Sequence, residues 1–208
     1  MGSIRLPGKS MIEIDGRPIM QYFLERVKKS EFIQQIYLAT TKNPADDVLE
    51  QWANENGIAC FRGSETDVLD SFYQIALKVK PDSIVRITGD CPLADYKIID
   101  KVIKEYLGQN CDYASNVHPP TYPDGLDVEI FSCDAIIKAW QNAKLNSERQ
   151  HVTPYIWKNP RIFKTCNIAC QEDFSNLRLT LDTAEDLKLL SLVIGACNQR
   201  KKYCDRFC

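Results

Sequence analysis

The stretch Ser83–Asp95, "SIVRITGDCPLAD", decides the fold. A short apolar strand runs into a Gly-Asp turn, and Asp95 follows as the N-cap of a further helix. A strand that delivers a carboxylate at its carboxyl end, just before a helix, belongs in a doubly wound α/β sheet, where ligands gather beyond the strand ends. The surrounding sequence keeps the same rhythm. Upstream, Ile19, Met20, Phe23, Leu24 and Val27 fall on one helical face, and "QIYLATT" reads as a buried strand. In "NPADDVLEQWANENG", Asn43 is the N-cap, Pro44 sits in the first turn and Gly57 follows the end. "IACF" is the next strand. Thr66 then caps a helix with Val68, Leu69, Phe72 and Ile75 inward. Downstream come a helix over residues 95–107 and the strand "CDYASNV". The pattern predicts an α/β fold with a mostly parallel central sheet.

Residues 118–170 break the rhythm. "HPPTYPDG" is a turn-rich loop, "LDVEIFS" an alternating strand, and a helix follows through Ala143. "SERQHVTPYIWKNP" starts as a helix and is stopped by prolines, and "IFKTCNIAC" is another strand. The block reads as a β-rich insertion, or arm, forming one wall of a cleft within a single domain spanning 1–208. The chain then returns with the strand "LRLTL" and the helix "TAEDLKLLSLVIGACNQR".

The chain has 208 residues, with 44% hydrophobic and 26% charged residues, enough for one sizeable core. A net charge of −2 offers no basic field for nucleic acid or an anionic membrane. No apolar run approaches the length of a membrane span, and the first ten residues lack a secretory core, so the expectation is a cytoplasmic protein. The nine cysteines are scattered and contain no CxxC pair. Reduced, inert thiols outweigh a zinc or redox site, although Cys197, Cys204 and Cys208 form a C-terminal cluster that can oxidise.

Asp90 is the sharpest candidate. A carboxylate there is a hard oxygen ligand suited to Mg²⁺, and Asp95 is the better helix cap. Asp182 also follows an apolar strand, but ordinary N-capping explains it equally well. "MGSIRLPGK" at the start carries Gly2, Ser3, Arg5, Gly8 and Lys9. Composition alone favours a frayed basic end slightly over a phosphate cradle. Asp124, Asp127, Glu129, Arg149 and His151 read either as the lining of a pocket for a polyhydroxylated substrate or as a solvated hairpin and helix end. Alternation places Asp127 and Glu129 on one strand face.

Seven stretches in order, "GSIRLPGK", "LATTKNPADDVL", "FRGSETDVLDSFY", "VRITGDCPL", "YPDGLDVEIFS", "SERQHVTPY" and "LTLDTAEDL", resemble the cytidylyltransferases that activate sugars as CMP-sugars. The branch is that of the spore-coat polysaccharide biosynthesis protein F, related to the Kdo and acylneuraminate cytidylyltransferases. The resemblance implies a nucleotide-diphospho-sugar transferase-like sandwich. It implies that Gly2, Ser3, Arg5 and Lys9 cradle the phosphates of CTP, with Arg62, Ser64, Asp67 and Arg86 also on the nucleotide side. Asp90 and Asp182 are then the Mg²⁺ ligands, and Lys9, Arg5 and Asp90 the catalytic set. Tyr122, Asp124, Asp127, Glu129, Arg149 and His151 fall on the side of a sugar or sugar acid. A homodimer is implied as well. The reaction implied is in-line attack of a sugar hydroxyl on the α-phosphorus, releasing pyrophosphate. No general base stands out.

One departure matters. The family pattern opens with an apolar strand and Ala-Arg directly before the Gly-Ser that is Gly2 and Ser3 here, where only Met1 stands. Relative to that pattern the chain is shortened at its N-terminus. The expectation is unpaired ladder groups on the two strands that would flank the first. A start codon assigned at an internal Met, a truncated remnant, or a strand from another chain would each account for it. The alternative to an enzyme is a remnant that binds nucleotide or a partner subunit without transfer.

Overall fold

The computed structural model describes residues 2, 3 and 5–199. The chain opens with a 3₁₀ turn at Lys9–Met11, then a hairpin of β1 (Glu13–Ile14) and β2 (Arg17–Pro18). Asp15 and Gly16 between them both have positive φ, as a two-residue hairpin turn requires. Next come α1 (Ile19–Val27), β3 (Tyr37–Thr41), α2 (Asp47–Glu55), β4 (Ala59–Gly63), α3 (Val68–Val79), β5 (Ser83–Arg86), α4 (Tyr96–Gln109) and β6 (Tyr113–Ser115). Then follow β7 (Glu129–Ser132), α5 (Cys133–Asn142), α6 (Asn146–His151), α7 (Pro154–Trp157), β8 (Thr165–Asn167) and α8 (Ala184–Gln199).

β3 and β4 pair in parallel, and a second sheet has the order β5-β7-β6-β8. In that sheet β6 and β8 are parallel, while β7 runs antiparallel to both β5 and β6. The 118–170 block is therefore no separate arm. It supplies β7 and β8, and β7 lies between β5 and β6. Alternation along these strands fills both faces. Ala114 and Ile130 face α4 through Ile98, Ile99 and Val102, while Tyr113 and Phe131 face Leu69, Ile136 and Ile156 of α3, α5 and α7. The result is an α/β sandwich of the nucleotide-diphospho-sugar transferase type. Among the described residues β3 pairs only with β4, and β5 only with β7, so each keeps an open edge.

Three local readings change. Asp67, not Thr66, caps α3, accepting from the Asp70 amide at 3.0 Å. Pro154 opens α7 rather than only ending α6. "LRLTL" forms no strand: its backbone bonds go to a turn and a loop. Leu179 N–H donates to the Asp124 carbonyl at 2.7 Å, Asp124 N–H to Leu177 at 3.0 Å, and Leu181 N–H to Asp90 at 2.8 Å.

Candidate active site

Asp90 follows β5, in the turn before α4. Asp95 caps that helix, its Oδ1 accepting from the Lys97 amide at 2.8 Å. Asp182 is likewise free of capping duty. Thr183 Oγ1 accepts from the Asp186 amide at 3.2 Å, and Asp186 Oδ2 accepts from the amides of Asp182 and Thr183 at 2.9 Å each. This reciprocal cap at the start of α8 removes ordinary N-capping as the duty of the Asp182 side chain. The Leu181–Asp90 bond then sets the two aspartates side by side. Leu181 itself is fully buried with Ile14, Ile19, Leu93 and Leu190, which anchors the segment.

Lys9 completes the arrangement. Gly8, in the left-handed region at φ 70°, turns the opening loop into the 3₁₀ turn that carries Lys9. The Lys9 ammonium lies 3.0 Å from Asp90 Oδ2 and 2.9 Å from Asp182 Oδ1. Burial opposes its charge, but the hydrogen bond to Asp182 and the Asp90 charge hold its pKa above the ordinary lysine value. Burial likewise opposes ionisation of Asp90, yet Thr88 and Lys9 hold it below the usual carboxylate range. The Lys9 hydrogen bond is the main reason that Asp182 is also held low. Arg5 approaches Asp182 Oδ2 at 3.1 Å and Arg178 approaches the same oxygen at 2.6 Å. Arg178 was missed by sequence reading; its only signal was a basic residue four before Asp182.

The "YPDGLDVE" turn docks against this centre. Gly125 has φ 103°, and a Cβ there would stand 2.7 Å from the Leu179 carbonyl carbon. Only glycine lets the turn press on residues 179–180. Asp124 faces Arg178 at 3.5 Å. Asp127 is half-buried, and burial first, then the charges of Asp124, Glu129 and Asp90, push its carboxyl up to about 6.

Other sequence-chosen residues are committed elsewhere in this structure. Arg62 donates to the Thr41 and Asn43 carbonyls and pairs with Asp47 and Glu50, knitting β4 to α2. Ser64 Oγ accepts from the Thr66 and Asp67 amides at 3.2 Å each. Asp67 is doubly bonded by Arg149, which also donates to the Trp140 carbonyl at 2.8 Å. Arg86 pairs with buried Glu129, whose Oε1 also accepts from Tyr113 at 2.7 Å and Thr153 at 2.6 Å. Tyr122 is buried, its hydroxyl accepting from Lys101 at 2.9 Å. His151 is exposed at the end of α6. Ser3 accepts from the Leu6 amide at 3.3 Å and shapes the opening loop. A Cβ on Gly2 would stand 3.2 Å from Glu65 Oε1, which places the opening loop beside the Ser64–Asp67 turn.

Among the described residues no group of three or more His, Cys, Asp or Glu side chains forms a ready-made metal cage. The donor set still fits Mg²⁺, which takes one or two carboxylates and completes its shell with water and substrate phosphate oxygens. One inward oxygen from each of two aspartates already brackets a cation, the Lys9 ammonium. Cys60, Cys91, Cys111, Cys133, Cys166 and Cys170 are free thiols; Cys204 and Cys208 lie outside the described residues. No described helix is long and apolar enough to cross a membrane.

Paired carboxylates and a lysine at the strand ends of this sandwich are the apparatus of a nucleotidyltransferase. The comparisons narrow the class. The family model described as cytidylyltransferase matches residues 1–205, and the chain belongs to that family. It is 43% identical over 190 residues to the uncharacterized protein MJ1063 of Methanocaldococcus jannaschii, covering 90% of this chain and 77% of that protein. It is 32% identical over 207 residues to the spore coat polysaccharide biosynthesis protein SpsF of Bacillus subtilis, covering 96% and 85%. The structure of a cytidylyltransferase from Leptospira borgpetersenii superposes with a TM-score of 0.88 at 32% identity, covering 100% of this chain and 94% of that one.

Proposed function

We propose that this protein transfers a cytidylyl group from CTP to a hydroxyl of a sugar or sugar acid, releasing pyrophosphate, in the synthesis of a surface polysaccharide or glycan. The observation that carries the reading is the convergence of Asp90, Asp182 and Lys9 at the strand ends, with Arg5 and Arg178 beside them. Family membership supplies the cytidylyl group, and the likeness to SpsF points to polysaccharide synthesis. Asp90 and Asp182 would hold Mg²⁺, which as a Lewis acid polarises the α-phosphate. Arg5 and Lys9 lie within reach of an incoming triphosphate and offset its charge, and binding orients the attacking hydroxyl. The test is pyrophosphate release from CTP and each other nucleoside triphosphate, against a panel of neutral sugars and sugar acids, with and without Mg²⁺. Release only with CTP, metal and one acceptor class supports the reading; no release with any combination opposes it.

A second reading is a nucleotide-binding protein without transfer. The open edges of β3 and β5 favour it, because unpaired ladder groups weaken the sheet that positions Asp90. Thermal stabilisation by CTP without pyrophosphate release would support this alternative.

A further inference from the structure

The Asp90–Asp182 pair already holds a cation, and that cation is part of the chain. Asp90 Oδ2 and Asp182 Oδ1 each lie about one hydrogen-bond length from the Lys9 Nζ, at 3.0 and 2.9 Å. The outer oxygen of Asp182 is taken by Arg5 and Arg178. The outer oxygen of Asp90 faces the Cys91 thiol at 3.6 Å. The inner oxygens are therefore those left to a metal, and Lys9 lies between them. A Mg²⁺ ion held by this pair would draw on the same two inner oxygens that the ammonium occupies, so the two cations would compete for them.

The backbone that carries the two carboxylates is tied down, and the ammonium sits at the end of a long side chain. Asp90 is tied by the Leu181 backbone bond, and Asp182 sits on the Thr183–Asp186 cap. Lys9 reaches in on a flexible four-carbon stem from a short 3₁₀ turn. Its departure needs only side-chain rotation and another anion to receive it.

Resting on the reading of this pair as the Mg²⁺ site, we propose that Lys9 is a built-in counter-ion that keeps the metal position closed in the free enzyme. The ammonium and the divalent ion compete for Asp90 and Asp182. The triphosphate opens the position by taking over the ammonium, so metal and nucleotide enter together. Lys9 thus carries a coupling between two ligands that bind next to each other, and such coupling is reciprocal.

The test uses Mn²⁺ as the probe, its free concentration read by electron paramagnetic resonance, on the full chain. Lys9→Met keeps the stem and removes the charge; Lys9→Gln is the second variant should Lys9→Met fail to fold. Without nucleotide, the variant should bind Mn²⁺ on the order of tenfold more tightly than the native protein. A non-hydrolysable CTP analogue should tighten Mn²⁺ binding to the native protein strongly and to the variant much less. Adding Asp90→Asn to the variant should abolish the gain. Equal Mn²⁺ affinity of native and variant proteins without nucleotide, while the analogue still enhances binding, overturns the competition and leaves the metal reading standing. A gain that survives Asp90→Asn places the ion elsewhere and also overturns it. No Mn²⁺ binding by any form, even with the analogue, removes the metal reading and the proposal together.

Discussion

The amide of Leu181 donates to the carbonyl of Asp90 at 2.8 Å, so two aspartates far apart in sequence are set side by side through a main-chain bond. A side-chain change at Asp90 leaves that bond in place. Asp90→Asn should lower pyrophosphate release by about 100-fold or more, the range seen when one electrostatic contact to a transition state is lost. The melting midpoint, followed by circular dichroism, should move by no more than about 4 °C. A near-native rate would remove Asp90 from the chemistry.

Asp127 predicts a pH dependence of the opposite sign to that of Asp90 and Asp182. Its carboxyl is pushed up to about 6, above the value of about 3.9 for an unfolded chain. The ionised form is therefore disfavoured in the fold. The cost is absent below pH about 4, grows between about 4 and 6, and is full above that. Asp127→Asn should be more stable than the native chain by up to about 3 kcal/mol at pH 7.5, with the gap closing by pH 4. Asp90 and Asp182, held low, contribute stability above the unfolded value that is lost as pH falls through their folded pKa, below about 4. Urea titrations across this range, in chelator, give both trends.

Arg149 and Asp67 form a pair that joins α6 to the cap of α3. Its role in this structure is to hold two helices together. A double-mutant cycle with Arg149→Met and Asp67→Asn should give a coupling of about 1 kcal/mol, as for a pair partly open to water. Stabilisation by CTP should be unchanged in Arg149→Met. A weakened nucleotide response would show that the pair serves ligand binding as well.

Thr180 carries a buried hydroxyl with no hydrogen-bond partner among the described residues. Replacing it with the isosteric valine removes an unsatisfied group without opening a cavity. Thr180→Val should be neutral or more stable by up to about 1 kcal/mol in chemical denaturation. A loss beyond that would show that the oxygen has a partner in solution.

Much of this was legible from the sequence, for identifiable reasons. Strand and helix periods differ, so "SIVRITGD" read as a strand with Asp90 in the turn beyond its carboxyl end. Asp182 was ambiguous because a cap and a ligand share one chemistry; the Thr183–Asp186 cap shows that the helix does not need it. The placement of β7 between β5 and β6 was hidden, because strand order depends on which edge a returning strand finds. "LRLTL" read as a strand because its side chains alternate, yet its amides and carbonyls serve the Asp124 turn and Asp90. Arg62, Asp67 and Arg149 were legible as charges but not as partners. Two of these, Asp67 and Arg149, lie 82 residues apart and meet only through packing.

The caps at Asp95 and Thr183–Asp186 have a practical consequence. Because neighbouring residues hold the starts of α4 and α8, the chemistry at Asp90 and Asp182 can be silenced without melting either helix. A chain carrying both Asp90→Asn and Asp182→Asn should keep its scaffold and lose the two charges on which the proposed chemistry rests. Such a protein is a control that separates the two kinds of damage: a defect it shares with a core variant is one of folding, and a defect it alone shows is one of charge.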